Sequence, residues 1–148
     1  MRYQEIVQDL FSVPEEYYFA QCISADFAMG KGIALEFNKH FQTKKHLKQT
    51  YPNYLQTWKE QHLQYDCILE NKVFNLITKQ HWRSKPTYQT LQGALRQMKA
   101  ICLEKKILKL AMPLIGCGLD GLEWEHVSEM IQKIFSDTQI DILICRKA

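Results

Sequence analysis

The stretch Ile107-Leu108-Lys109-Leu110-Ala111-Met112-Pro113-Leu114-Ile115-Gly116-Cys117-Gly118-Leu119-Asp120 contains an apolar run that reads as a strand, followed by a glycine loop. Beyond it Trp124, Val127, Ile131 and Ile134 recur at helical spacing. A strand, a glycine turn and a helix start form a cradle for phosphate. Glycine lets the backbone approach an anion without an intervening Cβ, and the free N–H groups of the helix start face it. The pattern occurs a second time. Tyr17 to Ser24 is aromatic and β-branched enough for a buried strand, Met29-Gly30-Lys31-Gly32-Ile33-Ala34 is the loop, and Ile33, Phe37 and Phe41 are spaced four apart. Two such loops in 148 residues imply a ligand with more than one phosphate, gripped from both sides.

The remaining segments continue the alternation of strand and helix. Tyr3 to Gln8 reads as a first strand running into Asp9-Leu10-Phe11-Ser12. Tyr65 to Leu69 and Val73 to Thr78 read as a hairpin turning at Glu70-Asn71-Lys72. Lys44 to Gln64, broken by Tyr51-Pro52-Asn53, is expected to form two short helices, with Tyr54 and Trp58 on the packed face of the second. Thr87 is a cap candidate for a helix carrying Tyr88, Leu91, Leu95, Met98 and Cys102. Ile140 to Cys145 is a last strand. Such alternation implies an α/β fold, a three-layer α/β/α sandwich around a central mixed sheet, forming a single domain over residues 1–148. Ligands in such folds bind beyond the carboxyl ends of the strands. Asp9-Leu10, both glycine loops and Lys79 follow strands and are expected to converge there.

Composition narrows the class. The chain is long enough to bury about two thirds of its unfolded surface. A hydrophobic fraction of 46% and a charged fraction of 24% are ordinary for a globular protein, and a net charge of +3 is compatible with anionic ligands without demanding nucleic acid. No apolar stretch reaches the length of a membrane span, and the N-terminus lacks a signal-peptide core. Cysteines at 22, 67, 102, 117 and 145 form no CxxC pair, and histidines at 40, 46, 62, 81 and 126 show no metal spacing. The expectation is a reduced cytoplasmic monomer with no metal, no cofactor and no membrane contact.

Each candidate residue has a plain structural alternative. Gly30-Lys31-Gly32 lacks the Ser or Thr of a nucleotide-triphosphate loop, and the dinucleotide pattern GxGxxG lacks its final glycine. Lys79, at the end of Phe74-Asn75-Leu76-Ile77-Thr78, is by spacing alone a surface charge, and Asp9 and Asp120 are by spacing alone turn or cap residues. His81-Trp82-Arg83 reads as an exposed polar loop or as a ligand contact. Cys117 reads as a small residue between two glycines. Lys39, Lys44, Lys45 and Lys48 read as a solvated helix face or a contact to a nucleic-acid backbone.

Taken together, Asp9-Leu10-Phe11, Cys22-Ile23-Ser24-Ala25-Asp26, the loop from Met29 to Ala34, Leu76-Ile77-Thr78-Lys79, Lys85-Pro86-Thr87-Tyr88 and Met112 to Asp120 resemble the macrodomain family, most closely its terminal ADP-ribose protein glycohydrolase branch. The likeness covers nearly the whole chain. It is weakest from Lys44 to Tyr65, and Gln8 and Gln21 stand where Gly and His are expected.

The resemblance implies that Asp9 and Leu10 contact adenine. It implies that Ser24, Gly30, Lys31, Gly32, Ile33 and Ala34 hold the diphosphate and distal ribose from one side, and Leu114, Ile115, Gly116, Cys117, Gly118 and Leu119 from the other. Lys79 would attack C1″ of the distal ribose, and Asp120 would assist and resolve the adduct. A free lysine has a pKa near 10.4, so reaching the neutral amine at pH 7 costs about 4–5 kcal/mol. Asp120 therefore helps as a general base that takes the proton during attack, not as a static counter-ion. The implied function is hydrolytic removal of mono-ADP-ribose from glutamate and aspartate side chains of proteins through a lysyl-ADP-ribose intermediate, with O-acetyl-ADP-ribose as a related ester. The alternatives are removal of ADP-ribose from DNA bases, as in antitoxin-like macrodomains that usually carry a further C-terminal domain, and ADP-ribose binding without cleavage. The partners implied are ADP-ribose and ADP-ribosylated protein, with ADP-ribosylated DNA under the first alternative.

Overall fold

The computed structural model describes residues 1–147. In chain order it comprises β1 (Arg2–Val7), a 3-10 turn (Leu10–Ser12), β2 (Tyr18–Ser24), α1 (Gly32–Phe41), α2 (Thr43–Thr50), α3 (Tyr54–Glu60), β3 (Asp66–Glu70), β4 (Val73–Lys79), α4 (Tyr88–Lys105), β5 (Lys109–Met112), a second 3-10 turn (Gly118–Asp120), α5 (Trp124–Phe135) and β6 (Asp141–Arg146). The strands form one six-stranded sheet in the order β1-β6-β5-β2-β4-β3. All neighbours pair in parallel except β3 and β4, which form the expected hairpin. The sheet is therefore mixed, and β1, β2, β4, β5 and β6 all end at one edge.

Strand alternation sorts the apolar side chains into two cores. Phe74 and Leu76 of β4, Leu110 and Met112 of β5, and Ile142 and Ile144 of β6 face α4 and α5, where Leu91, Leu95, Met98, Val127 and Ile131 meet them. Val73, Ile77, Ala111, Leu143 and Cys145 face the opposite layer, packed by Phe37 of α1, Leu47 of α2, and Tyr54 and Trp58 of α3. This is the three-layer sandwich expected. Strands buried on both faces carry few polar residues, and two of the exceptions pair with each other. Gln21 and Asn75 are register partners on β2 and β4, fully buried, with Gln21 Nε2 donating to Asn75 Oδ1 at 2.9 Å. The glutamine that replaces the expected histidine thus ties two central strands together.

Local signals explain most element ends. Thr87 accepts from the Thr90 amide at 3.1 Å while Thr90 Oγ1 accepts from the Thr87 amide at 3.0 Å, a capping box with threonine in the third position. At the far end of α4, Lys106 adopts φ +58 and Ile107 N–H closes onto Cys102 O, so the last strand residues begin at Lys109 instead of Ile107. The chain needs those residues to leave the helix.

Candidate active site

Lys79 is the last residue of β4, and the end of β2 is knitted to it: the Ala25 amide donates to Lys79 O at 2.9 Å across an irregularity in register between Ile23 and Ser24. From this edge Lys79 Nζ reaches Asp120 Oδ1 at 2.7 Å, with the two side chains 12% and 15% exposed. The two residues are 41 positions apart in sequence and are brought together because β4 and β5 end at the same edge. A separation of 2.7 Å permits direct proton transfer. Cys22 lies beside this pair, its thiol pushed up by burial, with Asp120 as a further cause and a hydrogen bond from the Gly116 backbone opposing it. Cys117 is pushed up as well, by burial and by Asp120. Both shifts disfavour the thiolate form of these sulfurs.

The first glycine loop is held in an unusual shape. Phe27 and Met29 adopt positive φ of 54° and 47°, a conformation that costs non-glycine residues energy. Burial of both side chains compensates: Phe27 stacks on Tyr54 with centroids 5.1 Å apart, and the Tyr54 hydroxyl donates to Asp66. Gly32 opens α1 with φ +60, and its N-cap, Lys31, makes no side-chain hydrogen bond to the helix start. The first amides of α1 are therefore available to an anion. Lys44 Nζ, from the basic stretch on α2, donates to Ala28 O at 3.2 Å and supports the loop from behind.

The second loop departs from the expected strand–loop–helix cradle. Instead of entering α5 directly, it forms the 3-10 turn Gly118–Asp120, closes with Gly121 at φ +80, and reaches α5 only after the cap residue Glu123. The 3-10 turn and Gly121 to Glu123 thus stand between the loop and the first amides of α5. Gly116 has φ +72, and a Cβ there would come within 3.0 Å of Leu122 and 3.2 Å of Leu91, so the loop sits directly on α4. At Gly118, with φ +73, a Cβ would meet open space.

Three further side chains assemble these loops. Asp26 accepts from Ser24 Oγ, from the Ala28 amide at 3.2 Å and, through Oδ2, from the Trp82 amide at 3.1 Å. It joins the end of β2, the first glycine loop and the segment after Lys79. Lys85 Nζ donates to Leu119 O at 2.5 Å, and Tyr88 Oη accepts from the Glu123 amide at 3.1 Å while its ring stacks on His126. The Lys85-Pro86-Thr87-Tyr88 motif thus braces the second loop. The two glycine loops also meet, since a Cβ on Gly32 would lie 3.7 Å from Leu119 Cδ1. Sequence reading has Asp26, Lys85 and Tyr88 in stretches that carry the family resemblance, and Tyr88 on the amphipathic helix, but assigns none of them this bracing role. The acid two positions after Ser24, a common turn signature, is the local signal for Asp26.

The other candidates are placed as follows. Asp9 lies beyond β1 at the same edge and caps the first 3-10 turn, with Oδ1 accepting from the Phe11 amide at 3.1 Å. Leu10 is a core residue, 5% exposed. Ser24 is buried against Asp26. Gly30 and Lys31 are exposed, Ile33 and Ala34 are half-buried against the α1–α3 core, Leu114 is half-buried, and Ile115 is buried under α4. Gln8 donates to Ser12 Oγ, so the residue in place of the expected glycine reinforces the Asp9 turn.

Comparison with known proteins agrees with this architecture. The Macro domain model matches residues 24–131. ADP-ribose glycohydrolase OARD1 from Homo sapiens is 40% identical over 139 residues, covering 92% of this chain and 86% of that protein. A DNA ADP-ribosyl glycohydrolase from Thermus aquaticus is 27% identical over 114 residues, covering 71% of this chain and 30% of its own. The macrodomain of Mycobacterium tuberculosis DarG superposes with a TM-score of 0.76 at 22% identity, covering 99% of this chain and 97% of that one. With the family model spanning most of the fold and a relative of this identity aligned along nearly all of it, the chain belongs to the Macro domain family.

Proposed function

We propose that this protein is an ADP-ribosyl glycohydrolase that removes mono-ADP-ribose from glutamate and aspartate side chains, acting as a single macrodomain with Lys79 as nucleophile and Asp120 as general base. The observation that carries the reading is the 2.7 Å contact between Lys79 Nζ and Asp120 Oδ1 at the meeting point of two glycine loops. Asp9 and Leu10 would border adenine, Ser24 and Gly30 to Ala34 would hold the diphosphate and distal ribose, and Leu114 to Leu119 would close over them. The relative with the greater identity and coverage of the two described is named for ADP-ribose glycohydrolase activity.

In the first step Asp120 takes a proton from Nζ as the amine bonds to C1″. The C1″–O bond to the substrate carboxyl breaks, and the carboxylate leaves with the bonding electrons. In the second, Asp120 delivers its proton to the departing amine as water attacks C1″, and the proton released by water returns to the carboxylate. The products are ADP-ribose and free Lys79. The 2.7 Å separation of Lys79 Nζ and Asp120 Oδ1 supports these paired roles.

The test is release of ADP-ribose from a glutamate-modified protein by wild type and Lys79→Ala. Loss of release in the variant, with ADP-ribose affinity kept within a few-fold, is expected; equal turnover removes the lysine from the mechanism. The basic side of α1 and α2 favours the nucleic-acid reading, because Lys44, Lys45 and Lys48 line a hollow of about 360 Å³ with Asn38 and Gln42. ADP-ribosylated single-stranded DNA is therefore the second substrate in the assay. The five free thiols fit a reducing compartment, and we assign the protein to the cytoplasm.

A further inference from the structure

Trp82 is 50% exposed, whereas Trp58 is buried and Trp124 half-buried. A large aromatic ring left in water is informative when its surroundings are ordered. Here they are. Trp82 lies three residues past Lys79, and its amide is fixed to Asp26. Three residues further on, Lys85 is fixed to Leu119 O. The segment from Trp82 to Lys85 therefore runs from Asp26, which holds the approach to the first glycine loop, to Leu119 of the second, beside the Lys79–Asp120 pair. Leu119, itself 66% exposed, lies on the same rim.

The charge on this rim is positive. The Arg83 guanidinium carbon lies 4.7 Å from the Trp82 ring centroid and Lys31 Nζ lies 5.9 Å from it. None of the ion pairs among the described residues uses Lys31 or Arg83. The ring restrains both cations without neutralising them. A guanidinium resting on an indole face keeps its N–H edge free, and that planar edge matches a carboxylate.

We infer that Trp82 and Arg83 form the docking surface for the modified polypeptide itself, and that they recognise acidic residues flanking the ADP-ribosylated side chain. The inference rests on the glycohydrolase reading above. On that reading the sugar meets Lys79 where the two glycine loops come together, and the polypeptide joined to it lies across their exposed rim. Esterification removes the charge of the modified residue, so recognition at the rim falls to its neighbours. An acidic segment suits unpaired cations there, with Trp82 covering its aliphatic stems. A nucleic acid is the less suited occupant, because Arg83 sits over the indole face on which a base would stack.

The experiment uses the whole chain as wild type, Trp82→Ala and Arg83→Glu, with four substrates: a glutamate-ADP-ribosylated peptide flanked by glutamates, the same peptide flanked by alanines, 1″-O-acetyl-ADP-ribose, and ADP-ribosylated single-stranded DNA. Calorimetry with ADP-ribose checks that the pocket is intact. For the acidic peptide, Arg83→Glu is expected to raise KM about ten-fold, as loss of one charge-assisted contact would, with kcat retained. Trp82→Ala should shift KM in the same direction. Turnover of the small ester should change less than two-fold, and the alanine-flanked peptide should respond weakly to both variants. Unchanged KM for the acidic peptide overturns the docking surface while leaving the glycohydrolase reading in place. So does an equal loss on peptide and small ester, which assigns the rim to the nucleotide pocket. A wild-type chain inactive on both peptides overturns the glycohydrolase reading, and the docking surface falls with it; activity on modified DNA that drops in these variants assigns the rim to nucleic acid.

Discussion

A lysine and an aspartate facing each other at 2.7 Å can be either a structural ion pair or a proton-transfer pair, and substitution separates the two. Removing Asp120 from a structural pair strands a half-buried ammonium and lowers stability. Removing it from a working pair also leaves the second chemical step without its base. Asp120→Ala is therefore expected to slow adduct breakdown, so that intact-mass measurement after mixing with substrate shows the chain heavier by one ADP-ribosyl group; full activity without adduct refutes that role. Asp26 acts differently, through the loops it joins. Its carboxylate receives two backbone amides and the Ser24 hydroxyl, and charged acceptors contribute about 1.5–3 kcal/mol per hydrogen bond, less where solvent competes. Asp26→Ala is expected to lower stability by about 1–3 kcal/mol and to weaken ADP-ribose binding, read by thermal denaturation and calorimetry together. A stability loss with unchanged affinity shows that the first loop keeps its shape without this brace.

The elements of the fold differ in how far their own residues specify them. Helix α4 is locally determined: apolar spacing, the Thr87–Thr90 capping box and a left-handed stop at Lys106 all agree. Thr87→Ala should cost about 1 kcal/mol, the usual value for a lost N-cap, measurable as a lower denaturation midpoint with an unchanged slope. The second glycine loop is determined by what it touches. Gly116 combines positive φ with close approach to Leu122 and Leu91, so Gly116→Ala adds both backbone strain and overpacking, about 1–3 kcal/mol. It should also disturb the loop more than a matching change at Gly118, where a Cβ finds open space. Gly118→Val is expected to meet no packing clash but to strain the backbone at φ +73, weakening ligand affinity, and unchanged affinity places the ligand elsewhere.

Across the whole molecule, the sheet carries two cores and the β1 edge is secured by charge. Glu5 on β1 accepts from Trp124 Nε1 of α5 and from the Arg146 guanidinium of β6, the latter at 3.0 Å. Burial works to raise the Glu5 carboxyl, but the hydrogen bonds from Trp124, Arg146 and Tyr3 prevail and hold it below its ordinary value of 4.5. A carboxyl with a lowered folded pKa contributes stability above its unfolded pKa and loses it as pH falls through the folded one. Glu5→Gln should therefore be less stable than wild type near neutrality, with the gap narrowing as pH drops below 4.5. A gap independent of pH removes Glu5 from the acid limb of unfolding.

The sequence by itself determined the layers. Doubly buried strands require uniformly apolar runs, helices require spacing of three and four, and both patterns are local, so the sandwich, the β3–β4 hairpin and the two glycine loops were readable in order. Tertiary structure alone decided how these pieces meet. Nothing in the stretch between them, which separates them by 41 positions, states that Lys79 and Asp120 touch; parallel pairing of β4 with β2, and of β2 with β5, brings their ends to one edge. The brace through Asp26, the grip of Lys85 on Leu119 and the detour of the second loop before α5 likewise depend on partners distant in the chain. Periodicity records which face a residue shows, whereas contact between loops depends on where whole strands end.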